Sequence, residues 1–164
     1  MQLKLDPKNI PSIPGARIVI LQSKWYAEHL DKMVAKCLEL LGKTGCEPVE
    51  HHILPGSLEL PLAAQTMMRL GAKNNKPYDA VICFGAIMKG DTYHFEMIMD
   101  MCVRGFEQIM LAEDVPIIME VLPVLNDKQL SDRSGDNEFN KGIEAALATA
   151  EIITWRRKIQ KGVQ

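Results

Sequence analysis

The sequence is short of the features that would send it to a membrane or to nucleic acid. No apolar run approaches the roughly 20 residues of a membrane span, and no apolar stretch follows a basic start in the manner of a secretory leader. A soluble, cytoplasmic protein is the expectation. Aromatic residues make up only 5% of the chain and the formal net charge is −2, so it has neither a base-stacking platform nor a basic footprint for nucleic acid. Cysteine is sparse and scattered: Cys37, Cys46, Cys83 and Cys102 form no C-x-x-C pair, and three of them fall on apolar positions, as reduced core thiols would. There is also no internal repeat, no low-complexity tract and no sign of a second domain. With 164 residues, 47% of them hydrophobic, the chain has material for one core.

What is present is an alternation of β-branched runs and helical stripes. Residues 1–16 carry Pro7, Pro11 and Pro14, which predicts an extended arm with little to bury, lying on an edge or a neighbour. Arg17 to Leu21 reads as a first buried strand, and Leu30, Met33, Val34, Cys37, Leu38 and Leu41 then recur at helical spacing up to a stop at Gly42 or Gly45. Pro48 to Leu54, half polar through Glu50, His51 and His52, predicts an edge strand. Pro55-Gly56 turns the chain, and Pro61 places the start of a second helix near Leu58, ending before Gly71. A third strand covers Ala80 to Phe84, and a fourth runs from Ile117 to Leu122 and closes at Pro123. Asn126 to Ser134 suits a short helix, and Ile143, Ala146, Leu147, Ala150 and Ile153 mark a last one, leaving through basic Trp155-Arg156-Arg157-Lys158 to a short tail at 160–164.

The order β-α-β-α-β-α-β-α-α predicts an α/β fold: a three-layer αβα sandwich of flavodoxin-like type, with a central four-stranded parallel sheet, spanning 17–159. Ligands of such sheets gather beyond the carboxyl ends of the strands. The most suggestive loop there is Phe84 to Glu96, where a buried strand ends, Gly90 breaks the chain, Asp91 or Thr92 can cap a helix, and His94 follows. The helix itself is marked by Met97, Ile98, Met101, Cys102, Phe106 and Ile109. Its open N–H groups and positive dipole end would suit an anion, with a proton carrier beside it. Taken alone, the same residues read more readily as a capped turn that binds nothing.

The other loops change that balance. Pro55-Gly56-Ser57-Leu58-Glu59-Leu60-Pro61 resembles the P-G-[AS]-x-E-[IL]-P element of the lumazine synthase family, and Gly85 to Glu96 resembles its G-x-[VL]-I-[RK]-G-x-T-x-H-[FY]-[DE] element. Asn126 to Gly135 is similar to N-x-E-Q-A-x-x-R-A-G, and Asn140-Lys141-Gly142 to N-K-G. The resemblance implies condensation of 5-amino-6-(D-ribitylamino)uracil with 3,4-dihydroxy-2-butanone 4-phosphate, without metal or cofactor. It also implies roles. His94 would transfer protons; Gly90, Asp91 and Thr92, with Arg133, would hold phosphate; Trp25 would stack on the pyrimidine; Glu59 would accept from ribityl hydroxyls; Ser57, Leu58 and Ile87 would border the uracil; Lys141 and Glu144 would lend electrostatic support. Self-association is implied as well, in pentamers whose sites take Trp25, Glu59, Thr92 and His94 from one subunit and Met119, Arg133 and Lys141 from the next. His29, His51 and His52 match no family site.

The sequence departs from that pattern in places. Tyr26 stands where asparagine is common, Leu58 where an aromatic is common and Met119 where phenylalanine is frequent, while Glu120 replaces a small residue, Lys128 a glutamate and Asn137 a lysine. Two other readings stay open on the residues: a non-catalytic flavin- or lumazine-binding or shell-forming homologue, and a flavodoxin-like phosphate or flavin module.

Overall fold

The computed structural model describes residues 6–162; residues 1–5 of the arm and 163–164 of the tail lie outside that range. Strands β1 (Ile18–Ser23), β2 (Glu50–Leu54), β3 (Ala80–Met88) and β4 (Ile117–Val124) alternate with helices α1 (Ala27–Leu41), α2 (Leu60–Lys73) and α3 (His94–Glu113), and α4 (Asp127–Ser134) and α5 (Lys141–Gln160) close the chain. The strands pair in parallel in the order β2-β1-β3-β4, with helices on both faces. This is the three-layer flavodoxin-like sandwich that the alternation predicts.

Strand periodicity divides the core in two. Ile18 and Ile20 of β1, Ile82 and Phe84 of β3 and Leu122 and Val124 of β4 pack toward α1 and α5, whereas Val19, Leu21, Val81, Cys83 and Val121 pack toward α2 and α3. The two central strands are buried on both faces, which is why they read as unbroken apolar runs. On one side α5 lies almost directly on α1: a Cβ at Gly142 would overlap the carbonyl group of Met33, so only glycine permits this approach. Cys37, Cys83 and Cys102 are buried free thiols, and burial pushes the Cys102 thiol up to about 11.

Several boundaries differ from expectation for definable reasons. Gly71 lies inside α2 instead of ending it; its missing Cβ makes room for the Lys76 carbonyl and the Tyr78 ring. Pro123 lies within β4, because Val124 is the residue turned toward β3, where its carbonyl accepts from Lys89 N–H at 2.8 Å. The Pro123 nitrogen therefore faces the open edge, where no ladder bond is lost. The arm is less bare than its prolines suggest. Pro7–Asn9 forms a 3₁₀ turn capped by Asp6, and Ile13 and Ala16 are fully buried, with Ile13 N–H donating to the Thr44 carbonyl at 2.8 Å. The basic stretch at the end stays within α5, where Arg156 forks onto the Asp114 carboxylate.

Helix α3 buries only Cys102 and Phe106, while Met97, Met101 and Leu111 are more than half exposed. Core packing thus accounts for only part of its apolar character. Among the described residues no helix is long and apolar enough to cross a membrane.

Candidate active site

Three chain crossings at the carboxyl edge of the sheet build one cleft. After β1 the chain is held to β2 by Lys24 N–H donating to the Leu54 carbonyl at 2.9 Å, and then presents Trp25 with its side chain largely in solvent. Tyr26 starts α1 from the left-handed region at φ 61°, and its carbonyl accepts from the His29 and Leu30 N–H groups. A tyrosine held there costs about 1–2 kcal/mol, whereas asparagine enters that region readily.

The second crossing is a single 3₁₀ turn, Ser57–Glu59, leading into α2. Ser57 is buried; its hydroxyl reaches the Ala86 carbonyl at 3.4 Å and its own carbonyl accepts from Cys102 Sγ at 3.3 Å. The turn can sit this close to β3 because position 85 is glycine: a Cβ there would lie 2.7 Å from Ser57 Oγ. Gly56 separates the Glu59 carboxylate from the Trp25 indole, since a Cβ at that position would lie 3.0 Å from Glu59 Oε2 and 3.7 Å from the ring. Glu59 and Trp25 are thus neighbours on one wall.

The third crossing, residues 89–93, is exposed throughout, and α3 begins at His94. Neither Asp91 nor Thr92 is the cap residue. Tyr93 occupies that position and offers no side-chain bond, because the loop runs one residue past Thr92 before it turns helical. Thr92 Oγ1 accepts only a long bond, 3.4 Å, from His94 N–H. The amino end of this 20-residue helix thus has no side-chain acceptor from its cap residue and only the long bond to Thr92, and its positive end favours an anion. Lys89 pairs with the Glu96 carboxylate, holding that group below the usual carboxylate range.

The resulting cleft, about 590 Å³, is lined by Trp25, Ser57, Leu58, Glu59, Ile87 and His94, all of them expected at a site, together with Lys24, Tyr26, Pro55, Gly56, Ala86, Met88 and Ile98. Gly90, Asp91 and Thr92 lie in the exposed loop between Met88 and His94, and a Cβ at Gly90 would meet nothing within 4 Å. Ile98 was not foreseen, although its position one helical turn after His94 puts it on the same face. A second concavity of about 300 Å³ lies at the opposite edge, where Arg156 is already closed by Asp114.

Met119, Arg133 and Lys141 do not line the cleft of their own chain. Met119 is 41% exposed on β4, in register with Cys83. Arg133, in the last turn of α4, donates from Nη1 to the Gln129 carbonyl at 2.8 Å. Lys141 opens α5, pairs with Glu144 and lies 4.0 Å from Glu120. Glu120 itself is buried at 5% exposure, and burial pushes its carboxyl up to about 8 against the pull of Lys141. The lone acid in an apolar run was the signal for this group.

A protein of Azorhizobium caulinodans named 6,7-dimethyl-8-ribityllumazine synthase is 31% identical over 146 residues, covering 89% of this chain and 90% of its own. Its namesakes in Kineococcus radiotolerans and Xylella fastidiosa strain 9a5c are each 33% identical over 147 residues, covering 88% of this chain and 88% and 92% of theirs. Oxidised flavodoxin 2 from Bacillus cereus superposes with a TM-score of 0.40 at 12% identity over 86% of this chain and 99% of its own, and the fold assignment rests on the sheet order instead. Residues 15–157 match the family described as 6,7-dimethyl-8-ribityllumazine synthase, and the chain belongs to that family.

Proposed function

We propose that this protein is a soluble cytoplasmic enzyme of riboflavin biosynthesis that condenses 5-amino-6-(D-ribitylamino)uracil with 3,4-dihydroxy-2-butanone 4-phosphate, releasing 6,7-dimethyl-8-ribityllumazine, phosphate and water. The observation that carries the reading is the juxtaposition of Trp25, Glu59 and His94 around one cleft at the amino end of α3, in a chain of this family. The reaction consists of amine attack on a ketone, dehydration to an imine, loss of phosphate and ring closure with a second dehydration. Each step moves protons between held substrates, so orientation and acid–base help supply the acceleration.

In this reading the Trp25 indole stacks on the pyrimidine, a contact of about 0.5–1.5 kcal/mol for an offset aromatic pair. Glu59, beside it, accepts from ribityl hydroxyls, while Ser57, Leu58, Ile87 and neighbouring backbone border the uracil. Gly90, Asp91 and Thr92 present backbone N–H groups and a hydroxyl to the phosphate at the positive end of α3. His94, the first residue of that helix, moves the proton next to the leaving phosphate, since imidazole exchanges protons near neutral pH.

Arg133, Met119 and Lys141 complete the site from an adjacent subunit of a pentamer. Two observations support this: none of the three lines the cleft of its own chain, and α2 and α3 expose Leu62, Met97, Met101 and Leu111, apolar surface that a monomer would leave in water. Mixing the purified protein with both substrates should generate the fluorescent lumazine, and sedimentation of the same sample should show pentamers or a multiple of them. Tight lumazine or flavin binding with no product formed would refute the catalytic reading.

A further inference from the structure

Helix α4 is eight residues long and strongly polar, burying only Leu130 and Ser134. A helix of two turns is marginal by itself, so neighbours must fix its position. Leu130, fully buried in the core, anchors its middle, and one side chain of α1 ties its two ends. His29 is buried, and its Nε2 lies 3.2 Å from Asp127 Oδ1 at the first residue of α4, while its Nδ1 lies 2.9 Å from Ser134 Oγ at the last. One imidazole thus spans the helix from end to end. Glu28 Oε1 stands 3.7 Å from the same Nε2, on the solvent side.

The order carboxylate, imidazole, hydroxyl is that of a hydrolytic triad, but burial excludes this use. Ser134 is 1% exposed, and its hydroxyl also lies 3.5 Å from the Ser131 carbonyl, so no substrate carbonyl can approach it. The arrangement suits a mechanical role. With Nε2–H donating to Asp127, Nδ1 accepts from the Ser134 hydroxyl, and both ends of α4 are tied to the rigid, well-packed α1. Asn140 secures the exit, donating from Nδ2 to the carbonyls of Ser134 at 3.0 Å and Gly135 at 2.9 Å. Between these ties, immediately before Ser134, stands Arg133.

We infer that His29 is a positioning residue for the phosphate-holding arginine: through Asp127 and Ser134 it sets the position of α4, and so the place at which Arg133 is presented to the phosphorylated substrate. The inference rests on the reading of Arg133 given above. A charged clamp displaced by about 1 Å loses up to 10²-fold in the step it supports, and the loss falls on the substrate that it holds.

The test is steady-state kinetics on the assembled protein with each substrate varied in turn. His29→Ala should raise KM for the butanone phosphate about tenfold, with KM for the pyrimidine and kcat changed less than about twofold, and competition by inorganic phosphate should weaken in parallel. His29→Gln, which keeps a donor and an acceptor, should recover part of the loss. Asp127→Ala provides a version that does not disturb the core, because that side chain is 70% exposed; it should show the same selective rise, about threefold. Added to Arg133→Ala, His29→Ala should raise that KM no further. A His29→Ala effect spread evenly over both substrates, or fully additive with Arg133→Ala, would overturn the inference. So would a rise in Arg133→Ala that neither His29→Ala nor Asp127→Ala shares, which leaves the reading of Arg133 intact. An unchanged butanone phosphate KM in Arg133→Ala itself would remove that reading and the inference with it.

Discussion

Replacing Glu120 by glutamine should stabilise the protein, and by an amount that depends on pH. The carboxyl projects from β4 into the layer between the sheet and helices α1 and α5, where its one ionic partner among the described residues is Lys141 at 4.0 Å. Burial raises its pKa from 4.5 to about 8; Lys141 pulls the value down and Glu144 pushes it up. Between those two pH values the folded chain holds a proton that the unfolded chain has released. Stability therefore falls as pH rises through the window and levels off above the folded value. At about 1.4 kcal/mol per pH unit, the interval from 4.5 to about 8 corresponds to a loss on the order of 5 kcal/mol, about 3 kcal/mol of it already incurred at pH 7.

Glutamine has the shape and neutrality of the protonated acid, so it should carry no such loss. Urea unfolding followed by tryptophan fluorescence, at equal protomer concentrations and at about pH 5, 7 and 8.5, measures the difference directly. Glu120→Gln should match the parent at the lowest pH, exceed it by about 3 kcal/mol at neutrality and by about 5 kcal/mol at the highest. A constant offset across pH would mean that packing and not ionisation distinguishes the two side chains. A variant less stable than the parent at pH 8.5 would refute the reasoning, because Lys141 would then be stabilising a buried carboxylate.

Other perturbations test other links. His94→Ala should lower kcat by about 10²–10⁴-fold with the circular dichroism spectrum unchanged, and an unaltered rate at saturating substrate would remove His94 from the chemistry. Tyr26→Asn should relieve about 1–2 kcal/mol of left-handed backbone strain at φ 61° but uncover the surface that a residue only 37% exposed now buries, so the melting temperature should shift by less than the strain alone predicts. A rise matching the full strain would show that the Tyr26 ring contributes nothing to packing. Gly142→Ala distinguishes close approach from helix propensity. Propensity alone predicts a gain of up to about 1 kcal/mol, but overlap with the Met33 carbonyl predicts a loss of about 1–3 kcal/mol in urea unfolding.

Local patterns carried most of the architecture. Apolar runs bounded by glycine and proline marked the four strands, helical stripes marked the helices, and their alternation implied a parallel sheet, because connecting parallel strands requires crossovers. Asn126 was legible as a start because N-caps act over two or three residues, and its side chain accepts from Gln129 N–H; the cap of the last helix, Asn140, which accepts from Gly142 N–H, was not read as one. The loops of the cleft were legible for a related reason, since in such sheets the carboxyl ends of all strands share one edge, so Trp25, Ser57–Glu59 and His94 had to be neighbours.

Boundaries and electrostatics depend on contacts distant in sequence, and there local reading fell short. Gly71 looks like a helix stop until Tyr78 is seen against it, and Pro123 looks like a strand end until the register shows its nitrogen on the open edge. An extended loop moved the start of α3 past both expected caps, to His94. His29 matched nothing in the sequence and could be read only once α1 and α4 were side by side, because its two partners lie 98 and 105 residues away. The sequence by itself determined the elements, their order and which loops meet at the carboxyl edge, all of which follow from periodicity and chain connectivity. Tertiary structure alone decided that Glu120 is desolvated, that one imidazole meets both ends of α4 and that Met119, Arg133 and Lys141 stand away from their own chain's cleft, because burial and distance are properties of the packed layers and not of any stretch of chain.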